Sequence, residues 1–260
     1  MAFQFPDSSA VTSSVAGRRI VLTGASGGLG SVLAHAFSAA GARVALVARK
    51  RDSLEELAAS LPGEFLICQA DISSAEDNHR VADHVMQTWG GIDTWIANAG
   101  ISPVLQSVLD MSLETWRDVQ QVNLDGVFHG ARAAAGHMIA SGQGGRIVVT
   151  TSVLGDRPRQ NLSAYSVSKA GANALVKALA MELGAHRITV NAVAPGWFDS
   201  PLASFWTRDE ARSREITNHT ALGRWGASED LPGVYLFLAS DASAFITGSV
   251  LTVDGGYLCQ

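Results

Sequence analysis

The chain is poor in cysteine, poor in charge and free of long hydrophobic runs. Its two cysteines, Cys68 and Cys259, lie far apart with no C-x-x-C pair or histidine cluster beside them, which excludes a disulfide framework and a structural zinc site. No metal is expected, and a reducing compartment such as the cytoplasm fits. Charged residues make up 17%, with 19 Lys+Arg against 24 Asp+Glu for a net charge of -5, and no basic run is long enough to track a phosphate backbone. Nucleic acid is therefore excluded as a partner. No uncharged apolar window reaches the roughly 18 residues of a membrane span, so no membrane partner is expected either. Residues 1–16 carry Asp7 and several serines but neither the basic start nor the apolar stretch of a signal peptide. They read as a leader to a soluble, unprocessed protein.

What is present in quantity is apolar side chain. Hydrophobic residues reach 47% of 260, ample for a core covered on both faces, and the length suits one α/β domain over residues 17–260. Short β-branched runs alternate with stretches of helical period: Arg19 to Thr23, Arg43 to Ala48, Glu64 to Gln69, Thr94 to Ala97, Arg146 to Thr150, Thr189 to Ala194 and Ser249 to Val253. The pattern predicts a doubly wound sheet of seven mainly parallel strands with helices on both faces. After the first strand, Leu29, Val32, Leu33, Ala36 and Phe37 form one apolar helical face that Gly41 ends, while Ser73 and Ser74 followed by Glu76 and Asp77 resemble a capping box. The stretch Pro201 to Thr220 interrupts the alternation, being mostly polar yet holding Leu202, Phe205 and Trp206. It reads as a mobile lid, at about residues 200–220, over a site.

The first strand runs directly into Thr23-Gly24-Ala25-Ser26-Gly27-Gly28-Leu29-Gly30 and then a helix. Glycines there permit a tight turn, close approach of a pyrophosphate to backbone N–H groups, and close packing of helix on sheet, a Rossmann-type arrangement for a dinucleotide. Thr23, Gly24, Ser26, Gly28, Leu29 and Gly30 are thus candidate cofactor contacts; a Gly-rich turn without ligand is the plainer alternative, and a P-loop lacks its Lys-Ser/Thr pair. The second strand ends at Ala48 without the carboxylate that would hold a free adenosine ribose, and Arg49, Lys50 and Arg51 follow. A guanidinium at Arg49 can pair with a 2′-phosphate, which favours NADP over NAD; the alternative is a solvated helix start with Arg49 paired to Asp52 or Glu55.

Ser152 leaves the fifth strand, and Tyr165 and Lys169 follow at i and i+4, one face of a helix. Phenol and ammonium then converge on a point that can hold a carbonyl. An ammonium nearby lowers a tyrosine pKa from about 10 toward working pH, as a general acid/base needs, and a serine hydroxyl can bond the reacting oxygen.

Together these motifs resemble a classical short-chain dehydrogenase/reductase from about Arg19 to Tyr257. The family's T-G-x-x-x-G-x-G is Thr23 to Gly30, and its Asn-Ala-Gly is Asn98-Ala99-Gly100, preceded by Ala97 where Asn is usual. The resemblance implies that Asp71 and Ile72 flank the adenine, that Asn123 holds a water linking to Lys169, and that Lys169 also binds the nicotinamide ribose. Asn123, Ser152, Tyr165 and Lys169 form the implied catalytic set. Pro195-Gly196 matches the family's motif after the sixth strand, with Phe198 and Ser200 (usually Thr) toward the nicotinamide carboxamide. The tail Asp254-Gly255-Gly256-Tyr257 resembles the family's end, which implies a homo-oligomer, tetramer or dimer.

The implied reaction is hydride transfer between NADPH and a ketone or secondary alcohol, with Tyr165 exchanging the proton and Ser152 orienting the oxygen. Ile101, Ser102, Val153, Leu154, Trp197, Phe205 and Trp206 are candidate walls and suggest a hydrophobic ketone, whereas Arg157, Arg159, Arg208, Arg212 and Arg214 either attract an anionic substrate or lie in solvent. Alternatives are an NAD-dependent alcohol or sugar-acid dehydrogenase and a catalytically silent dinucleotide sensor. A methyltransferase would have no use for the Tyr165/Lys169 pair, and an extended-type epimerase would need a larger C-terminal domain.

Overall fold

The computed structural model describes residues 14–102, 105–200 and 203–260. Most of the leader, and Pro201 and Leu202 of the lid stretch, lie outside the described residues. The predicted strands form as β1 (Arg19–Thr23), β2 (Arg43–Ala48), β3 (Phe65–Gln69), β4 (Thr94–Ala97), β5 (Gly145–Thr150), β6 (Ile188–Pro195) and β7 (Val250–Val253). Five boundaries in four strands differ from the sequence reading: β3 and β7 start one position later, β5 starts one earlier, and β6 takes in Ile188 and Pro195. At Pro195 the ladder is still paired, opposite Val253. All pairings are parallel, in the order β3-β2-β1-β4-β5-β6-β7, rather than mainly so.

Burial on both faces explains why the strands read as continuous apolar runs. On one face Val21, Ala45, Trp95, Ile147 and Val190 meet helices α3 (Ala75–Trp89), α5 (Gly126–Ser141) and α6 (Ser163–Leu183) through Val85, Ala131 and Val176. On the other, Ile20, Leu22, Leu46, Ile96 and Val148 meet α1 (Gly28–Ala39), α2 (Arg51–Ala58) and α9 (Pro232–Ala239) through Leu33, Phe37, Leu54 and Tyr235. Helix α4 (Leu113–Gln120) runs into a π-helical turn, Gln121–Asp125, that leads to α5. Val15 is fully buried in the second cluster, so the packed core takes in the end of the stretch read as leader.

The capping box forms only by half. Ser74 accepts from the Asp77 N–H at 3.2 Å, but the Asp77 carboxylate turns outward to the backbone N–H of Asp71 at 2.7 Å, because Asp71 enters from the end of β3. The described part of the lid stretch is folded as α7 (Ser204–Thr207) and α8 (Glu210–Asn218), anchored by the fully buried Ile216. No helix among the described residues is long and apolar enough to cross a membrane.

The strand order reverses between β1 and β4, which is where open parallel sheets leave a crevice beyond their carboxyl ends. Every predicted motif sits at that end.

Candidate active site

A cleft of about 780 Å³ runs over the carboxyl ends of the strands, from Arg49 and Lys50 to Tyr165, Trp197 and Trp206. Its floor is made by the Gly-rich turn. Gly24 has φ +66 and sits so close to Ala99 that an added Cβ would lie 2.7 Å from the Ala99 Cα; at Gly30 it would lie 2.0 Å from the Gly24 carbonyl oxygen. Both positions need glycine because backbone passes backbone there. Helix α1 begins at Gly28 without any side-chain cap, and Gly28, Leu29 and Gly30 of its first turn line the cleft, an arrangement that suits an anion.

Thr23 does not line this cleft. Its hydroxyl donates to the Ile96 carbonyl at 3.2 Å and accepts from the N–H groups of Asn98 at 3.0 Å and Ala99 at 3.1 Å, so it ties β1 to the exit of β4. Asn98 continues the tie, donating from Nδ2 to the Thr23 carbonyl at 3.1 Å and accepting from the Thr150 hydroxyl at 3.1 Å. Asn98 also faces the cleft, as do Ser26, Gly28, Leu29, Asp71, Ile72, Ala99, Gly100, Pro195, Gly196, Phe198 and Ser200.

Arg49 is exposed at the outer end, and its guanidinium has no hydrogen-bond or ion-pair partner among the described residues. The expected competitor Glu55 is taken instead by Arg51, at 2.8 Å, one helical turn away.

At the inner end Ser152, Tyr165 and Lys169 come together, all less than a tenth exposed. The Ser152 hydroxyl accepts from the Leu154 N–H at 3.1 Å. Lys169 Nζ donates to the Thr150 carbonyl at 2.8 Å and lies 5.7 Å from the centroid of the Tyr165 ring. Burial lowers the Lys169 pKa to about 8. Burial also raises the Tyr165 phenol above its ordinary value, with the Ser152 hydroxyl opposing. This reverses the lowered phenol expected from the i, i+4 spacing: the same dry surroundings disfavour phenolate and ammonium alike, and the ammonium is spent on a carbonyl.

Asn123 is placed by the π-helical turn, fully buried and behind the cleft rather than on its wall. Its Oδ1 accepts from the Ile101 N–H at 2.8 Å, and Nδ2 donates to the Ile101 carbonyl at 2.8 Å and to Ser168 Oγ at 3.1 Å. Its side chain therefore fixes the loop after β4. A Cβ built on Gly100 would lie 3.3 Å from Asn123 Oδ1 and 3.4 Å from Lys169 Nζ, which shows how closely these groups converge.

Val153, Leu154, Trp197 and Trp206 line the inner cleft as expected, but Phe205 does not. Successive residues on α7 point about 100° apart, so Phe205 turns outward, 45% exposed, with the Arg212 guanidinium 4.0 Å from its ring centroid. Leu162 and Thr150 also line the site and were missed; Leu162, one turn before Tyr165 at the start of α6, had a positional signal, whereas Thr150 acts through its carbonyl and had none.

A family model described as enoyl-(acyl carrier protein) reductase matches residues 24–258. The solved short-chain type dehydrogenase/reductase of Mycobacterium marinum superposes with TM-score 0.91 at 38% identity, over 97% of this chain and 99% of that one. The chain belongs to the short-chain dehydrogenase/reductase family. A curated relative, glucose 1-dehydrogenase of Gluconobacter oxydans, is 36% identical over 245 residues, 93% of this chain and 92% of the relative. A gluconate 5-dehydrogenase of Burkholderia cenocepacia, solved with NADP and tartrate, superposes with TM-score 0.88 at 30% identity, over 96% of this chain and 99% of that one. Such likeness to dehydrogenases and reductases makes this member of the short-chain family an oxidoreductase by descent, and its sheet is the family's sheet.

Proposed function

We propose that this protein is an NADP(H)-dependent oxidoreductase that interconverts a ketone and a secondary alcohol. The observation that carries the reading is one continuous cleft with the unpaired Arg49 guanidinium at its outer end and the Ser152-Tyr165-Lys169 cluster at its inner end. The residues fit a dinucleotide: the uncapped N-terminus of α1 suits a pyrophosphate, Asp71 and Ile72 the adenine, and Arg49 a 2′-phosphate. Lys169 and the run from Pro195 to Ser200 suit the nicotinamide end. Bound NADPH supplies the hydride.

The protein's own part is protonic and positional. Tyr165 gives the proton of its phenol to the carbonyl oxygen, and the buried state that keeps it protonated suits it to act as the acid in reduction. Ser152 donates a hydrogen bond to the same oxygen. Lys169, held by the Thr150 carbonyl, keeps a positive charge near the phenol below about pH 8 and so stabilises the phenolate left behind. In the oxidative direction the same groups run in reverse. The relative solved with NADP supports this choice of nucleotide.

The test is a fluorescence titration with NADPH and NADH. NADPH is expected to bind at least about tenfold tighter, and Arg49→Ala to erase most of that difference. Equal losses for both nucleotides in the variant would remove the 2′-phosphate contact and leave an NAD-dependent dehydrogenase.

A further inference from the structure

We propose that the substrate is a neutral carbonyl compound with an apolar, ring-sized body, and that the site selects against carboxylates; this rests on the oxidoreductase reading above. The inner cleft is walled by Ile101, Val153, Leu154, Leu162, Trp197 and Trp206. The charged residues lining the cleft are Arg49, Lys50, Asp71 and Lys169. The first three stand at the exits of β2 and β3, the adenosine end, and Lys169 is 3% exposed and bonded to the Thr150 carbonyl.

The arginines that a substrate carboxylate would need are engaged elsewhere. Arg159 donates to Glu215 at 2.6 Å and lies 4.4 Å from the Trp206 ring centroid and 5.4 Å from that of Trp197. It thereby fastens α8 to the segment before α6 and braces the two tryptophans. Arg157 donates to the carbonyls of Tyr257 at 3.2 Å and Gln260 at 2.6 Å and covers the Tyr257 ring at 5.3 Å. In the lid, Arg214 pairs with Glu210 and Arg212 with Asp209, while Arg208 is exposed and away from the cleft wall.

A carboxylate pressed against this surface loses its water and meets only the Lys169 ammonium, which is already bonded to the Thr150 carbonyl. A polyhydroxylated chain fares little better. Beyond Ser152 and Tyr165 the inner wall offers the hydroxyls of Ser102 and Ser200, and Trp197 Nε1 is buried without a hydrogen-bond partner among the described residues. Aromatic support is the site's main asset: Trp197 stands edge-on to Trp206 at 5.2 Å, Trp225 at 5.9 Å and Tyr257 at 6.1 Å. Such a braced cluster presents rigid apolar area at little entropic cost. The substrate class differs from the glucose and gluconate for which two of the relatives are named.

The test uses the purified chain with saturating NADPH and matched ketones: cyclohexanone and phenylbutanone against oxocyclohexanecarboxylate and ketogluconate. The neutral ketones are expected to exceed the acids at least about tenfold in kcat/KM, with the difference in KM. Trp206→Ala is expected to raise KM for the neutral ketones at least about tenfold, Trp206→Phe less, with NADPH affinity retained. Acids reduced as well as or better than neutral ketones, with that activity lost in Arg159→Met, would overturn the inference and leave the oxidoreductase reading standing. An unchanged KM in Trp206→Ala would likewise overturn it. If NADPH binds but no ketone of either class is reduced, the oxidoreductase reading falls and this inference with it.

Discussion

Replacing Lys169 by Met should change not only activity but the shape of the stability curve with pH. Lys169 is nearly sealed from solvent, and burial depresses its pKa from the ordinary 10.5 to about 8. Below about pH 8 both folded and unfolded chains carry the proton, and the folded state bears the whole cost of burying the ammonium. Between about 8 and 10.5 the unfolded chain holds the proton more tightly than the folded one, so stability rises with pH across that window. At about 1.4 kcal/mol per pH unit the depression corresponds to roughly 3 kcal/mol. Lys169→Met keeps the length of the chain and removes the titration, while sacrificing the bond to the Thr150 carbonyl, about 1.5 to 3 kcal/mol for a charged donor. The two effects nearly cancel at pH 7, so the variant should be close to wild type there and fall behind it by up to roughly 3 kcal/mol as pH approaches 10. Urea denaturation of both proteins without nucleotide, at steps from pH 7 to 10, measures the difference; the raised Tyr165 is common to both and drops out. A difference that stays flat, or shrinks with pH, would refute the claim that Lys169 is buried as a depressed ammonium.

Tyr165→Phe should lose about a hundred- to ten-thousandfold in turnover while NADPH affinity is retained, read by steady-state rates beside a fluorescence titration. Gly30→Ala should destabilise by about 2 kcal/mol or more, because its Cβ would press on the Gly24 carbonyl oxygen at 2.0 Å; Gly136→Ala, on α5 with open space around it, should instead stabilise by up to about 1 kcal/mol, and urea midpoints compare the two. For Asp93, burial alone would raise the pKa, but the side-chain and backbone hydrogen bonds from Arg19, at 2.6 to 2.8 Å, outweigh it and hold the carboxyl below its ordinary 3.8. Its stabilisation is present above about pH 4 and lost as pH falls further, so Asp93→Asn should flatten the acid limb of the stability curve.

The strands were legible because two-sided burial writes itself into consecutive residues: Ile20, Val21 and Leu22 are all at 0% exposure, so no alternation was needed to see β1. The Gly-rich turn and the Tyr165/Lys169 pair were legible for a similar reason, since turn geometry and the i, i+4 face are local consequences of the backbone. The lid stretch reads from sequence as an interruption and a mobile lid, and its helices are not legible there, because α7 is a single turn and α8 is amphipathic mainly through Ile216. Phe205 and Trp206 looked equivalent as neighbours in sequence, and only the orientation of α7 sends one to the cleft and the other to solvent.

What the sequence determined by itself is the set of strands in the doubly wound sheet, the Gly-rich turn and the shared face of Tyr165 and Lys169, each specified by residues within a few positions of one another. What the tertiary structure decided is which charges remain free. Arg49 lost its expected competitor to Arg51, while Arg159 found Glu215 from 56 residues away and Arg157 the Tyr257 carbonyl from 100. An arginine's availability depends on whatever carboxylate or carbonyl the folded chain brings within hydrogen-bond distance, and periodicity along the chain carries no information about partners that meet only after the sheet has closed.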